Sequence, residues 1–524
     1  MTTPFLVAAV LFPFFAELFV VRMVPDNQTA PSKNIGFYLL TPLKGSMVYI
    51  TFLLAVGHPY LALGGSALYY FGLTAISNKK YEVLKEPFNA HDFDNVHNLY
   101  INPEFYVSYV GWPVLVFISL AFIGVVGGSI YLEDAIALYE LGPWYYVWPG
   151  SLAGWFAFLW LLRNVSSLFF NENSAAKYGL SLDLKTDVTR FGLFPTIFLY
   201  RLLLKAKTDK KALRERPVKI NSTPEKYADI IAVQGESYFD LGRLFQNIDG
   251  AGDWNSLRTL EERGVATGQI EVPAWGAYTM QTEFSFLSSL PNHMLGVDRI
   301  NPYMRFALQP VATFVSALQA KGYKTLCIHP AKKEFFRRSN VMLNLGFDDF
   351  IDVEAFEGAA KYGKYISDSA LADKIEDVIA SHRKTSEQPL FIFAITIESH
   401  GPWAKGRIKA HLPAGTSEEA LTASNPTRDP AFALYQQHME NLLDFYRRLS
   451  IDAPKESRER VVAMYGDHMP ALGSLFTRHG FTDKPVDYLL YKSGGTAVTN
   501  KGTQQIEGFA ETLLAEAGLQ FQSE

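Results

Sequence analysis

The 524-residue chain is predicted to fold as an α-helical membrane region of about five spans followed by an α/β domain whose mainly parallel sheet is covered by helices. Three observations predict this. Residues 1–170 hold 17 of the charged side chains, and residues 171–524 hold 84. Apolar windows long enough to cross a bilayer recur through the first third, whereas from about Ala228 short apolar runs alternate with helix-spaced segments. The expected divisions are 1–170 for the transmembrane helical region, 171–227 for an interfacial helix and basic linker, and 228–524 for the α/β domain.

A spanning helix needs about 20 mostly apolar residues, because the hydrocarbon layer is ~30 Å thick and each residue rises ~1.5 Å. Pro4–Val21, Phe37–Val56, Tyr60–Ser77, Val107–Tyr131 and Trp144–Leu162 meet that length. Only Gly57, His58 and Pro59 separate the second from the third, so the pair also reads as one long broken segment. The first window has no basic leader and no small-residue cleavage site, which marks a retained helix rather than a removed signal. Glu17, within an apolar window, is either a functional acid or a residue reaching the interface. Short-loop Lys79, Lys80 and Lys85 favour the inside, yet five spans from an inside start place that loop outside, so charge bias alone leaves orientation open. After the last window, Phe191–Leu204 is too short to cross. It leads into Arg201–Lys219, with eight basic and two acidic residues, a pattern that suits a helix lying at anionic headgroups or a solvated linker.

A net charge of −5 argues against a nucleic-acid partner, since such domains carry a basic excess. The single cysteine, Cys327, excludes an internal disulfide framework and a thiolate-rich metal site. A 48% hydrophobic content with 14% aromatics excludes disorder for most of the chain.

In the α/β region, Asp229–Gln234, Tyr323–His329, Pro389–Glu398, Arg460–Tyr465 and Val486–Tyr491 read as buried strands. Between them, Ala312–Lys321, Ser367–Ser381, Phe432–Leu449 and Gln504–Ala517 read as helices. Alternation of this kind builds a parallel sheet with helices on both faces, and such a sheet carries ligands beyond the carboxyl ends of its strands. Three strands end in reactive segments: Gly235-Glu236-Ser237, Glu398-Ser399-His400-Gly401 and Gly466-Asp467-His468. One edge would thus collect Glu236, His400, Asp467 and His468. Clustered carboxylates repel one another unless a cation organises them, and a divalent metal is the simplest organiser. Thr279 stands at the start of the helical run through Phe284, Phe286, Leu287 and Leu290, where free amides attract phosphate or sulfate. Thr279 with Glu283 reads equally well as ordinary helix capping.

Taken in order, Gln234-Gly235-Glu236-Ser237, Thr279 with Glu283-Phe284, Phe336-Arg337-Arg338 with Gly346-Phe347, Ser399-His400-Gly401-Pro402 and Tyr465-Gly466-Asp467-His468-Met469-Pro470 resemble the lipoteichoic acid synthase and phosphoglycerol transferase family. That family lies in the alkaline phosphatase and sulfatase superfamily and also carries about five N-terminal spans. The resemblance implies a sulfatase-like catalytic domain. It places Glu236, Thr279, Asp467 and His468 at one divalent metal, with Thr279 as nucleophile. Arg338, His400 and Phe336 fall in the substrate pocket, with His400 also catalytic. The implied metal is manganese, although three oxygen ligands and one imidazole suit zinc or magnesium as well. The implied reaction moves glycerophosphate from phosphatidylglycerol, through a covalent threonine intermediate, to an envelope glycan or polymer. It takes place at the outer face of a bacterial cytoplasmic membrane. Phosphoethanolamine transfer and phosphate or sulfate ester hydrolysis are the alternatives. Sulfatases use a modified Cys or Ser before Pro and Arg, which Thr279-Met280-Gln281-Thr282-Glu283 does not match.

Overall fold

The computed structural model describes residues 3–21, 33–93, 112–132, 144–206, 211–222, 224–403, 415–454, 458–495 and 502–523, together with 406–407, 409 and 412. The chain forms two compact units, Met1–Thr208 and Asp209–Glu524.

The first unit is helical, with α1 (Thr3–Glu17), α2 (Ile35–Val56), α3 (Pro59–Leu84), α4 (Trp112–Leu132) and α5 (Trp144–Phe169). Each apolar window of the sequence falls on one of these helices, and residues 107–111 of the fourth window lie outside the described residues. α2 and α3 are separate helices. Gly57 takes the left-handed conformation at φ 74° that closes α2, and Pro59, with no N–H to lose, opens α3. Among the described residues, α2 is the one helix long and apolar enough to cross a membrane by length and composition. Large apolar side chains face outward on several helices, among them Phe15, Leu39, Phe117, Ile123, Phe158 and Trp160.

Glu17 has a structural partner set. Its carboxylate lies 3.5 Å from Lys33 Nζ and 3.4 Å from the Phe194 N–H. A carboxyl group therefore sits at the start of the helix Leu193–Lys205, where it accepts from the otherwise free Phe194 N–H. Two helices that meet at Gly192 lie here, Leu184–Phe191 and Leu193–Lys205, and the second falls on the Phe191–Leu204 stretch read as an interfacial helix. The second buries Leu193, Phe194, Ile197, Tyr200 and Leu203 and packs on α2 and α5.

The second unit is built on an eight-stranded sheet. Its strands are β2 (Asp229–Gly235), β3 (Ala266–Glu271), β4 (Lys324–Ile328), β5 (Asp349–Ile351), β8 (Leu390–Ile395), β9 (Arg460–Gly466), β10 (Val486–Lys492) and β11 (Gly502–Gln505). A ribbon of β1 (Val218–Ile220) with β12 (Phe521–Ser523) and a hairpin of β6 (Lys361–Tyr362) with β7 (Tyr365–Ile366) complete the strands. The sheet order is β11-β3-β10-β9-β2-β8-β4-β5. Every neighbouring pair is parallel except the two that involve β10. β2, β8 and β9 are buried at every residue, which is why they read as unbroken apolar runs. β3, β5 and β11 were not legible in the sequence. β3 alternates buried and half-buried positions around Gly268, β5 has three residues and β11 is the polar edge Gly-Thr-Gln-Gln.

The helices Phe314–Ala320, Asp368–Arg383, Pro430–Leu449 and Ile506–Glu516 cover the sheet where helical spacing predicted them. The helix Thr279–Ser288 is pinned to the sheet by Phe286, whose ring centroid lies 4.8 Å from Tyr465 and 5.9 Å from Phe393. That packing brings the helix start to the sheet's carboxyl edge.

Candidate active and metal site

β2 runs parallel to β9 with Gly235 opposite Gly466, so the next residues, Glu236 and Asp467, leave the sheet side by side. Gly466 has to be glycine. A Cβ there would stand 1.9 Å from the Tyr238 carbonyl oxygen. Glu236, Asp467 and His468 are all buried, and one ligand atom of each lies within 4.8 Å of the others. His468 Nε2 stands 3.2 Å from Asp467 Oδ2 and 3.8 Å from Glu236 Oε1.

Ser237, at φ 57°, organises these groups. Its N–H donates to Asp467 Oδ1 at 2.8 Å, and its hydroxyl donates to Glu236 Oε1 at 2.9 Å. The His468 N–H also donates to Asp467 Oδ1, at 3.0 Å. Asp467 Oδ2 is buried without a hydrogen-bond partner. Burial pushes the Asp467 pKa up to about 6, with the Glu236 charge adding to the rise and His468, Ser237 and Thr279 opposing it.

Thr279 is the first residue of its helix, and its side chain lies near enough to Asp467 to help hold that carboxyl's pKa down. The approach loop is fixed by a bridge between Trp275 and Met469, by the Gly276 N–H on the Met469 carbonyl at 3.0 Å, and by the Thr282 hydroxyl on the Asp467 carbonyl at 2.6 Å. Glu236, Thr279, Asp467 and His468 are thus brought to one place. Two carboxylate oxygens, an imidazole nitrogen and a hydroxyl, with a buried oxygen left unpaired, fit a divalent cation.

The capping alternative for Glu283 does not hold. Tyr278 precedes the helix without a side-chain cap, and Glu283 is instead fully buried against Arg338. Arg338 Nη2 donates to Glu283 Oε2 at 2.9 Å and Nε donates to Oε1 at 3.2 Å. Arg338 also lies 5.4 Å beneath the Phe336 ring. Phe336 and Arg337 both take left-handed φ, at 56° and 57°, an uncommon conformation for residues other than glycine that turns the loop around Arg338. His400 follows β8, half-buried, with its ring edge-on to Tyr365 at 5.8 Å.

Sequence reasoning missed His329. It follows β4 as the other site residues follow β2, β8 and β9, and that strand-end position was the signal. His329 Nδ1 lies 3.0 Å from the Ile395 carbonyl. Burial, with the nearby charges of Arg338 and His400, holds its pKa well below the usual histidine value. Arg338, His329 and His400 therefore share one neighbourhood at the sheet edge.

A largely parallel sheet with this cluster at its carboxyl edge is the arrangement of a sulfatase-like domain. The chain belongs to the sulfatase family, which it matches over residues 231–519. It is similar to the capsular polysaccharide biosynthesis protein RkpI of Rhizobium meliloti strain 1021, 28% identical over 468 residues that cover 85% of this chain and 79% of that one. Among solved structures, the phosphoglycerol transferase GacH of Streptococcus pyogenes, in complex with sn-glycerol-1-phosphate, is 22% identical, with a TM-score of 0.44 over 56% of this chain and 75% of that chain. The integral membrane lipooligosaccharide phosphoethanolamine transferase A of Neisseria meningitidis is 12% identical, with a TM-score of 0.53 over 99% of this chain and 96% of that chain. This last likeness, in fold, takes in the helical region as well as the sheet domain.

Proposed function

We propose that the protein is a membrane-anchored, metal-dependent phosphoglycerol transferase of the bacterial cytoplasmic membrane, with its catalytic domain on the outer side. The observation that carries this reading is the buried cluster of Glu236, Asp467 and His468 at the sheet's carboxyl edge, with the Thr279 side chain close enough to act on Asp467. In this reading 1–170 is the transmembrane region of about five spans, 171–227 connects it and 228–524 is catalytic. The outward apolar faces of α2, α4 and α5 support bilayer contact, since exposed apolar surface of that extent marks a membrane or partner surface.

Glu236, Thr279, Asp467 and His468 would hold manganese, zinc or magnesium, which when bound supplies Lewis-acid activation of a hydroxyl and neutralises phosphoryl charge. Thr279 Oγ1, whose proton is released to solvent when the hydroxyl is activated, attacks the phosphorus of phosphatidylglycerol and leaves as the same oxyanion in the second step. A new P–O bond forms, the bond to diacylglycerol breaks, and the leaving oxygen takes a proton from His400. The glycerophosphoryl-threonine is then attacked by a hydroxyl of an envelope glycan or polymer, which loses its proton to His400 as Thr279 departs. Arg338 orients the phosphoryl oxygens, while Phe336 and His400 line the glycerol side. Anchoring raises the local concentration of a donor that stays in the bilayer. The name of RkpI, a capsular polysaccharide biosynthesis protein, supports a glycan acceptor. The phosphoglycerol headgroup comes from the ordered motifs. The full-length likeness to a phosphoethanolamine transferase favours a second reading with that headgroup.

The test is incubation of the purified protein with manganese and labelled phosphatidylglycerol or phosphatidylethanolamine, followed by lipid analysis and intact-protein mass spectrometry. Diacylglycerol from phosphatidylglycerol and a glycerophosphate adduct on Thr279, both absent in Thr279→Ala, are expected. Release from phosphatidylethanolamine alone selects the second reading. Turnover that survives Thr279→Ala rejects both.

A further inference from the structure

Glu283 lies one helical turn beyond Thr279, and both of its oxygens are occupied. Oε1 accepts from Arg338 Nε and from the Tyr303 hydroxyl, and Oε2 accepts from Arg338 Nη2 and from Gln234 Nε2 at 3.0 Å. Gln234 is held in turn by the Tyr465 hydroxyl at 2.9 Å. A carboxylate with no solvent exposure is tolerated only with a shell of this kind. The consequence for Arg338 is that two of its three guanidinium nitrogens face Glu283 and its charge is balanced. A phosphate group arriving there meets a neutral ion pair rather than a free cation.

We infer that Glu283 sets the charge of the phosphate pocket, so that the site takes singly charged phosphodiesters and discriminates against doubly charged phosphomonoesters. The inference rests on the reading of Arg338 as the phosphate-binding residue. An unpaired arginine would attract each additional negative charge on the ligand, and a carboxylate in contact with it cancels most of that gain. The phosphodiester of a membrane lipid carries one charge, while a monoester above its second pKa of about 6 carries two. Rejecting the dianion keeps free monoesters from competing with the lipid donor. Glu283 acts through Arg338 and does not touch substrate, so it is a positioning and charge-setting residue.

The test uses the full-length protein in detergent with manganese at pH 8. Calorimetry measures affinity for dimethyl phosphate, a monoanion, and for inorganic phosphate, mainly a dianion. Glu283→Gln is expected to move the affinity ratio about tenfold toward inorganic phosphate. Glu283→Asp keeps the charge and is expected to keep the ratio near that of the unaltered protein. The charge-balanced double variant Glu283→Gln with Arg338→Gln is also expected to keep the ratio while weakening both ligands. It decides the matter if the single Gln variant does not fold, because a neutral pair is tolerated where an unpaired buried charge is not. An unmoved ratio in folded Glu283→Gln, or a shifted ratio in the double variant, overturns the inference. If neither ligand binds the unaltered protein, or Arg338→Gln leaves both affinities intact, the phosphate-pocket reading fails and takes the inference with it.

Discussion

Ser237 donates its backbone N–H to Asp467 across 230 residues of sequence. With its hydroxyl on Glu236 as well, one residue orients two of the proposed metal ligands. Outer hydrogen bonds of this kind typically contribute 10–100-fold to metal affinity. Ser237→Ala keeps the N–H bond and loses the hydroxyl, so manganese affinity is expected to fall by roughly tenfold with the fold intact. Metal titration followed by circular dichroism checks both statements. An unchanged affinity would show that Glu236 needs no such support.

Metal removal should affect stability with opposite sign in a ligand variant. The Glu236 charge helps to raise the Asp467 pKa, so the two carboxylates repel each other when no cation lies between them. The metal-free Glu236→Gln protein is therefore expected to unfold at or above the temperature of the metal-free parent. Added manganese should stabilise the parent and not the variant. A variant that melts lower than the metal-free parent would contradict the repulsion.

Gly466→Ala should be among the most damaging single-methyl additions in the chain. Its Cβ would meet the Tyr238 carbonyl oxygen at 1.9 Å, a backbone atom that cannot swing aside. Either β9 or the Glu236–Tyr238 turn must shift, at a cost of about 1–3 kcal/mol or more, and metal affinity should fall with it. Wild-type unfolding temperature and metal binding in this variant would refute the argument.

Asp368 provides a pH signature away from the metal cluster. Both of its oxygens are buried without hydrogen-bond partners, and burial, reinforced by the Glu398 charge, holds its pKa well above the ordinary 3.8. The folded chain thus keeps a proton that the unfolded chain releases once pH passes about 4. Stability attributable to this group is fully present below that pH and declines as pH rises, by about 1.4 kcal/mol per unit until the folded carboxyl ionises. Asp368→Asn removes the decline. Urea denaturation from pH 4 to 7 should show the variant gaining on the parent as pH rises, and a constant difference would show that Asp368 is ionised in both states.

The sequence by itself determined the charge-poor first third, the five apolar windows, the alternation of buried strands with helices, and the polar segments at the ends of β2, β8 and β9. These are legible because a strand buried on both faces must be apolar throughout, and because a ligand-bearing edge must begin where the apolar run stops. Tertiary structure alone decided that β2 lies between β8 and β9, that β10 runs antiparallel to its neighbours, and that His329 reaches the same edge. It also decided that Glu283 clamps an arginine 55 residues away instead of capping its own helix. Local pattern reports which face of an element is buried. It carries no information about which distant charge will balance a buried carboxylate, because that is fixed only when strands far apart in sequence take their places in the sheet.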